Sequence, residues 1–275
     1  MISFIITTKN NEKTLERLLQ SIKKQTYKNW EIVVVDNNST DNTKEIAKRY
    51  TKKVFNKGPE RSVQRNFGVT KAKGEYVAIF DSDMVLSRNV ASEIGAEFND
   101  PRIGGLVIPE KSIGSGYWAR VRAFERVFYE GDRGIEAARA FRRKIFKQFG
   151  GYDENITGPE DADLPLRMRK AGVKIGRIKS YIFHDEQDIN PIKSARKKYY
   201  YARGAYRYLK RHPEMALSQG NLIFRPAFFR KPFKLIKSPY LTMGLFVLKL
   251  FEMGGALLGI AQAIFSRVGK KKPAL

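Results

Sequence analysis

Along the first eighty positions, apolar residues come as short solid blocks alternating with stretches where they recur every third or fourth place. The blocks are residues 2–7 (ISFIIT), 31–35 (EIVVV) and 75–80 (EYVAIF). Their β-branched and aromatic content predicts strands covered on both faces. Within 13–25, Leu15, Leu18, Leu19 and Ile22 fall at i, i+3, i+4 and i+7, which predicts a helix with one buried face. Residues 43–50 and 62–71 predict two more. Strand–helix alternation implies a mostly parallel α/β sheet with right-handed crossovers, and such sheets gather ligands beyond the carboxyl ends of their strands. Asp36 follows the second block, and Asp81 and Asp83 follow the third, so three carboxylates are expected at one sheet edge.

The far end of the chain has a different pattern. In the 27 residues 239–265 only Lys249 and Glu252 are charged. At about 1.5 Å per residue this stretch is long enough to cross a hydrocarbon core of roughly 30 Å, and a spanning helix is expected. A helix lying in the interface or bent at Gly254–Gly255, and a buried soluble helix, are the alternatives. The run before it, residues 197–212 (KKYYYARGAYRYLKRH), is basic and Tyr-rich. Of the formal net charge of +24, residues 187–275 carry +15, with 18 Lys/Arg against 3 Asp/Glu. Such a block suits nucleic acid or an anionic membrane, and its continuity with the apolar stretch favours the membrane and no nucleic acid. The expected organisation is a catalytic domain over 1–186, a basic interfacial amphipathic segment over 187–237, and a membrane-embedded helix with a basic tail over 238–275. The catalytic domain is expected to face the cytoplasm. The chain has no cysteine, which excludes disulfides and thiolate chemistry. The opening MISFIITTKNN has no basic n-region and reads as a first strand rather than a signal peptide.

Two aspartates one residue apart on a turn can hold a divalent cation against a diphosphate, although an isolated D-x-D is more often a strand end or a helix cap. Its neighbours add weight. The segments 7–43 (TTKNNEKTLERLLQSIKKQTYKNWEIVVVDNNSTDNT), 65–84 (RNFGVTKAKGEYVAIFDSDM) and 150–172 (GGYDENITGPEDADLPLRMRKAG) resemble, in order and spacing, the three sequence blocks of family 2 glycosyltransferases. Roughly residues 1–186 are covered. The likeness extends to the catalytic cores of membrane-attached members such as dolichyl-phosphate mannosyltransferases and cellulose-synthase-like proteins.

The resemblance implies a GT-A fold, a Rossmann-like nucleotide-sugar-binding domain, and inverting transfer that depends on Mg²⁺ or Mn²⁺. It implies that Asp36 contacts the nucleobase in a pocket lined by Thr8, Lys9, Asn10 and Glu12. Arg65 and Asn66 support the donor site. Asp81 and Ser82 lie near the ribose, and Asp83 holds the metal with Asp81 and His184 as further candidates. Asp161 is the expected general base, with Glu160 beside it; a helix N-terminus after Pro159 would account for these acids as well. His184 reads nearly as well as a structural histidine at a strand end.

Lys9 stands where many relatives carry an aromatic residue, and Met84 where a third acid is common. The Q-x-x-R-W motif of processive synthases is missing, so one sugar per encounter is expected. The implied partners are a nucleotide diphosphate sugar, with GDP-mannose favoured over a UDP-hexose, and a polyprenyl- or dolichyl-linked acceptor in the membrane. A non-catalytic GT-A-like module that binds anionic membranes or polymers is the competing reading.

Overall fold

A computed structural model of the chain describes residues 1–132, 135–187, 189–213 and 226–268. The end of the expected basic tail, residues 269–275, and residues 214–225 of the basic segment lie outside the described residues. The three apolar blocks form β1 (Ile2–Thr8), β2 (Trp30–Asp36) and β4 (Tyr76–Asp81), and the periodic stretches form α1 (Glu12–Lys23), α2 (Thr43–Lys48) and α3 (Arg61–Lys71). β3 (Val54–Asn56), β6 (Ile103–Val107), β8 (Ala138–Arg142) and β9 (Lys174–Arg177) complete a seven-stranded sheet in the order β3-β2-β1-β4-β8-β6-β9. β3, β2, β1 and β4 run parallel, and β8 is antiparallel to both of its neighbours.

Both faces of this sheet are covered, which is why its strands are solid apolar runs. On one face Phe4, Ile6, Val34 and Phe80 meet Leu15, Leu18, Leu19 and Ile22 of α1 and Ile94 of α4 (Val90–Glu97). On the other, Ile5, Val33, Val35 and Ile79 meet Val69 of α3, Phe146 of α6 (Arg143–Gln148), and Leu164 and Met168 of α7 (Glu160–Lys170). Each fully buried aliphatic side chain here stabilises the layer by about 1.5–3 kcal/mol.

A second, three-stranded sheet, in the order β5-β10-β7, is built from β5 (Met84–Leu86), β10 (Ile182–Asp185) and β7 (Glu110–Ile113). It was not anticipated from the sequence, because its strands are three or four residues long and three of the four residues of β7 (EKSI) are polar.

The chain divides into two compact units. The first comprises Met1–Ile113, Glu136–Glu154 and Asp161–Glu186 and holds both sheets; the second comprises Gly114–Ile135, Asn155–Glu160 and Gln187–Leu275. Residues 114–135, placed in the first domain on sequence, thus group with the C-terminal part. The second unit contains α5 (Tyr117–Tyr129), α8 (Pro191–Arg211), the short α9 (Pro226–Phe229) and α10 (Pro232–Lys237), and α11 (Pro239–Val268). α11 packs on α5 and α8. Val121, Phe128, Phe228, Leu245 and Leu248 form its small core.

Candidate active site

The parallel register sets β1 between the ends of β2 and β4: Thr8 lies opposite Asp36, and Thr7 opposite Asp81. Asp36 is buried and accepts the Ser39 N–H at 2.7 Å and the Ser39 hydroxyl, with Lys44 Nζ at 3.7 Å. Asn10, left-handed at φ 50°, donates its N–H to Ser39 Oγ at 2.8 Å, and its Oδ1 accepts the Thr40 N–H at 2.9 Å. Glu12 Oε2 accepts from the Asn42 N–H at 3.1 Å and Nδ2 at 3.0 Å. Asn10, Glu12 and Asp36 therefore lace the loop after β2 to the turn after β1. Lys9 beside them is exposed, and Thr8 Oγ1 is buried with no hydrogen-bond partner among the described residues. Ser82 Oγ accepts Asn11 Nδ2 at 2.6 Å.

Arg65 organises the centre. It sits on the inward face of α3 and is fully buried. Its Nη2 donates to Asp81 at 2.8 and 3.2 Å, its Nη1 donates to Asp161, and the guanidinium lies 5.4 Å from the Tyr152 ring centroid. Thr7 Oγ1 donates to Asp81 at 3.2 Å, and Arg139 Nη1 lies 3.9 Å from it. Burial raises the Asp81 carboxyl, but Arg65, Arg61 and Arg139 together hold it well below the usual carboxylate range. At the head of α7, Asp161 keeps 24% of its side chain exposed, whereas Glu160 is buried.

Asn66, one residue on and about 100° around the helix, is turned toward the GGYDE turn. Its Oδ1 accepts the Tyr152 N–H at 3.0 Å, and its Nδ2 donates to the Tyr152 carbonyl at 2.8 Å and to Glu154 at 3.1 Å. Gly151 in that turn has φ 68°, and a Cβ there would come within 2.5 Å of Asn66 Oδ1. The turn and the amide are built for each other. Arg167 fixes its far side by donating to the carbonyls of Phe149 and Gly151 and, at 2.7 Å, to buried Asp163.

The second sheet delivers the remaining groups. Pairing of β10 with β5 sets His184 opposite Met84 and places His184 Nε2 3.1 Å from Asp83 Oδ2. Glu110, opposite Ile182 on β7, has Oε2 3.9 Å from His184 Nδ1 and accepts Arg139 Nε at 2.5 Å. Burial opposes the charge on Arg139, yet Glu110 first, then Asp161 and Asp81, hold it protonated. Glu110 and Arg139 were missed on sequence. Glu110 had a signal, since like Asp36 and Asp81 it follows an apolar run, here GGLVIP; Arg139 stands alone among apolar residues in ARAF.

Among the described residues, no group of three or more His, Asp or Glu side chains forms a ready metal cluster. Asp83 Oδ1 is buried without a hydrogen-bond partner among them, beside an imidazole. A carboxylate oxygen left open next to a histidine suits a hard divalent ion that takes its other ligands from water and substrate.

The sequence matches the family model "Glycosyl transferase family 2" over residues 3–152, and the chain belongs to that family. The glycosyltransferase GlyG of Streptococcus pneumoniae is 32% identical over 130 residues, 43% of this chain and 43% of GlyG. The UDP-Glc:alpha-D-GlcNAc-diphosphoundecaprenol beta-1,3-glucosyltransferase WfgD of Escherichia coli is 30% identical over 132 residues, 40% of this chain and 52% of WfgD. The chain thus spans about half the length of these two relatives. The mannosyltransferase PcManGT from Pyrobaculum calidifontis, solved in complex with GDP-Man and Mn2+, superimposes with a TM-score of 0.71 at 17% identity, covering 95% of this chain and 87% of that one. The fold is the α/β GT-A fold with a mostly parallel central sheet.

Proposed function

We propose that the chain transfers a hexosyl group, with inversion, from a nucleoside diphosphate sugar to a lipid-linked acceptor. The observation that carries this reading is the bridge made by Arg65, which ties Asp81 of the D-x-D turn to Asp161 at the head of α7. Donor carboxylate and acceptor base thereby share one guanidinium at the carboxyl edge of the sheet. Inversion in a single displacement needs one base on the face opposite the leaving group. Asp161 is that base, being the more accessible of the two acids that open α7. Asp36 takes the nucleobase, with Thr8, Lys9, Asn10 and Glu12 around it, and Asp81 and Ser82 lie toward the ribose.

Both Asp81 oxygens are engaged by Arg65, so the cation falls to Asp83 and His184. When bound there, Mg²⁺ or Mn²⁺ supplies neutralising charge for the departing diphosphate. Glu110 holds Arg139 in place and lies 3.9 Å from the imidazole nitrogen remote from Asp83.

GDP-mannose is the first choice of donor, supported by the GDP-Man and Mn2+ in the Pyrobaculum complex, and a UDP-hexose the second, supported by the donor in WfgD's name. The diphosphoundecaprenol in that name supports a polyprenyl-linked acceptor. The test is nucleotide release by purified protein from a panel of GDP- and UDP-sugars, with Mg²⁺ or Mn²⁺, with and without lipid extract. Release from one donor that rises with lipid is expected. Full activity on free soluble sugars and none on lipid would remove the acceptor assignment, and no release from any donor would remove the reaction.

A further inference from the structure

Among the described residues one helix, Pro239–Ile264 within α11, is long and apolar enough to cross a bilayer. We propose that it does not cross: it lies in the plane of the membrane interface, seating the second unit on an anionic lipid surface through one continuous apolar stripe. This deepens the membrane part of the reading above and is independent of its chemistry.

The inner side of α11 is covered by α5 and α8. The only charges in its apolar length, Lys249 and Glu252, are each 1% exposed. Lys249 Nζ bonds Glu252 at 2.5 Å and pairs with Glu125 of α5, while Arg122 of α5 bonds Glu252 at 2.5 Å and pairs with Glu125. Further along, a Cβ on Gly255 or Gly259 would fall 2.1 Å from the Ala195 carbonyl oxygen or 2.3 Å from that of Tyr199, so α8 lies directly on α11. Tyr199 OH bonds Gln262 at 2.5 Å at the same contact. G-x-x-x-G spacing in an apolar helix commonly marks a membrane dimer face. Here it is occupied by α8.

Carrying α11 across a bilayer would therefore carry α8 with it. Lys193, Arg196 and Lys197 of α8 are exposed and stand level with the middle of the apolar stretch. Each is costly at that depth unless it reaches water, and all three face away from the protein.

The outer side of α11 tells the complementary story. Tyr240, Met243, Phe246, Leu250, Leu257 and Ile264 recur at helical spacing and are all exposed. Together they make a stripe of about 36 Å with no charge in it. Just before it, on α10, Phe233 and Ile236 are 75% and 73% exposed and alternate with exposed Lys234 and Lys237. Apolar side chains flanked by lysines on a surface helix, within a segment of 18 Lys/Arg against 3 Asp/Glu, match an interface whose headgroups are anionic.

The chain has no cysteine, so single-cysteine variants label cleanly. Met243→Cys, Leu250→Cys and Leu257→Cys in the full chain, each carrying an environment-sensitive fluorophore, would be mixed with phosphatidylglycerol or phosphatidylcholine vesicles holding depth-graded quenchers. Expected are binding to the anionic vesicles only and one shallow depth, about 5–10 Å, for all three sites. A spanning helix would put position 250 deepest and the other two about 10 Å shallower, which would overturn the proposal. Absence of vesicle binding with self-association in sedimentation would overturn it as well, by assigning the stripe to a second copy of the chain. Leu250→Glu/Leu257→Glu should weaken vesicle binding by at least tenfold while leaving far-ultraviolet dichroism unchanged; unaltered binding would exclude the stripe.

Discussion

Arg65 and Asp161 can be tested separately, because one positions charge and the other accepts a proton. Asp161→Asn keeps the shape at the head of α7 but removes the proton acceptor. Calorimetry should find nucleotide affinity within about twofold of wild type, while turnover falls by roughly 10²–10⁴. A second prediction concerns the bridge. One planar guanidinium serves two carboxylates, a geometry that an ammonium point charge reproduces poorly. Arg65→Lys should therefore lower turnover by about ten- to a hundredfold with a modest change in melting. Arg65→Ala leaves Asp81 and Asp161 without their common cation and should cost about 3–5 kcal/mol in denaturant titration. Wild-type turnover in Arg65→Lys would show that charge matters and geometry does not. The acids were legible because each follows an apolar block or falls in a spaced motif. The bridge was not, since nothing in the spacing of residues 65, 81 and 161 says that one side chain meets both others. Asn66 shows the same limit: the dipeptide was visible, but its engagement with the GGYDE turn depends on the two residues pointing about 100° apart on α3.

At the scale of elements, the helix faces and solid strands could be read directly because period and burial are local properties. The second sheet was invisible for the opposite reason, its short strands being held by pairing with residues seventy or more positions away. The Lys249–Glu252 pair lies between these cases: its i, i+3 spacing is readable, but Arg122 and Glu125 on α5 are not. Lys249→Met and Glu252→Gln should each destabilise the second unit by about 3–5 kcal/mol, since each unbalances a buried cluster. The double variant leaves Arg122 paired with Glu125 and should cost clearly less than the sum, measured as a coupling in chemical denaturation. Burial raises the Glu125 and Glu252 carboxyls, but Arg122 and Lys249 outweigh it and hold both below the ordinary value. Their contribution is therefore present above the unfolded carboxylate range of about 4.3 and is lost as pH falls toward the folded values. Wild-type melting temperature should drop on acidification below about pH 4, with a flatter profile in the double variant.

For the whole molecule, composition foretold a basic, partly apolar C-terminal third but not that it recruits residues 114–135 into its own compact unit. A linear reading places a membrane anchor after a finished domain, which would make it removable. The structure argues otherwise. α11 supplies Leu245 and Leu248 to the core shared with Val121, Phe128 and Phe228, and both charges that complete the α5 cluster. Ending the chain at residue 238 would expose those apolar residues and leave α8 without the surface that Gly255 and Gly259 present to it. The truncated protein should aggregate or lose helical signal in excess of the thirty residues of α11, as judged by gel filtration and far-ultraviolet dichroism. Leu250→Glu/Leu257→Glu, which alters only the outer stripe, should give a soluble protein with its helices intact. A monodisperse, fully helical 1–238 fragment would show that α11 is an appendage after all, and that the second unit is held together without it.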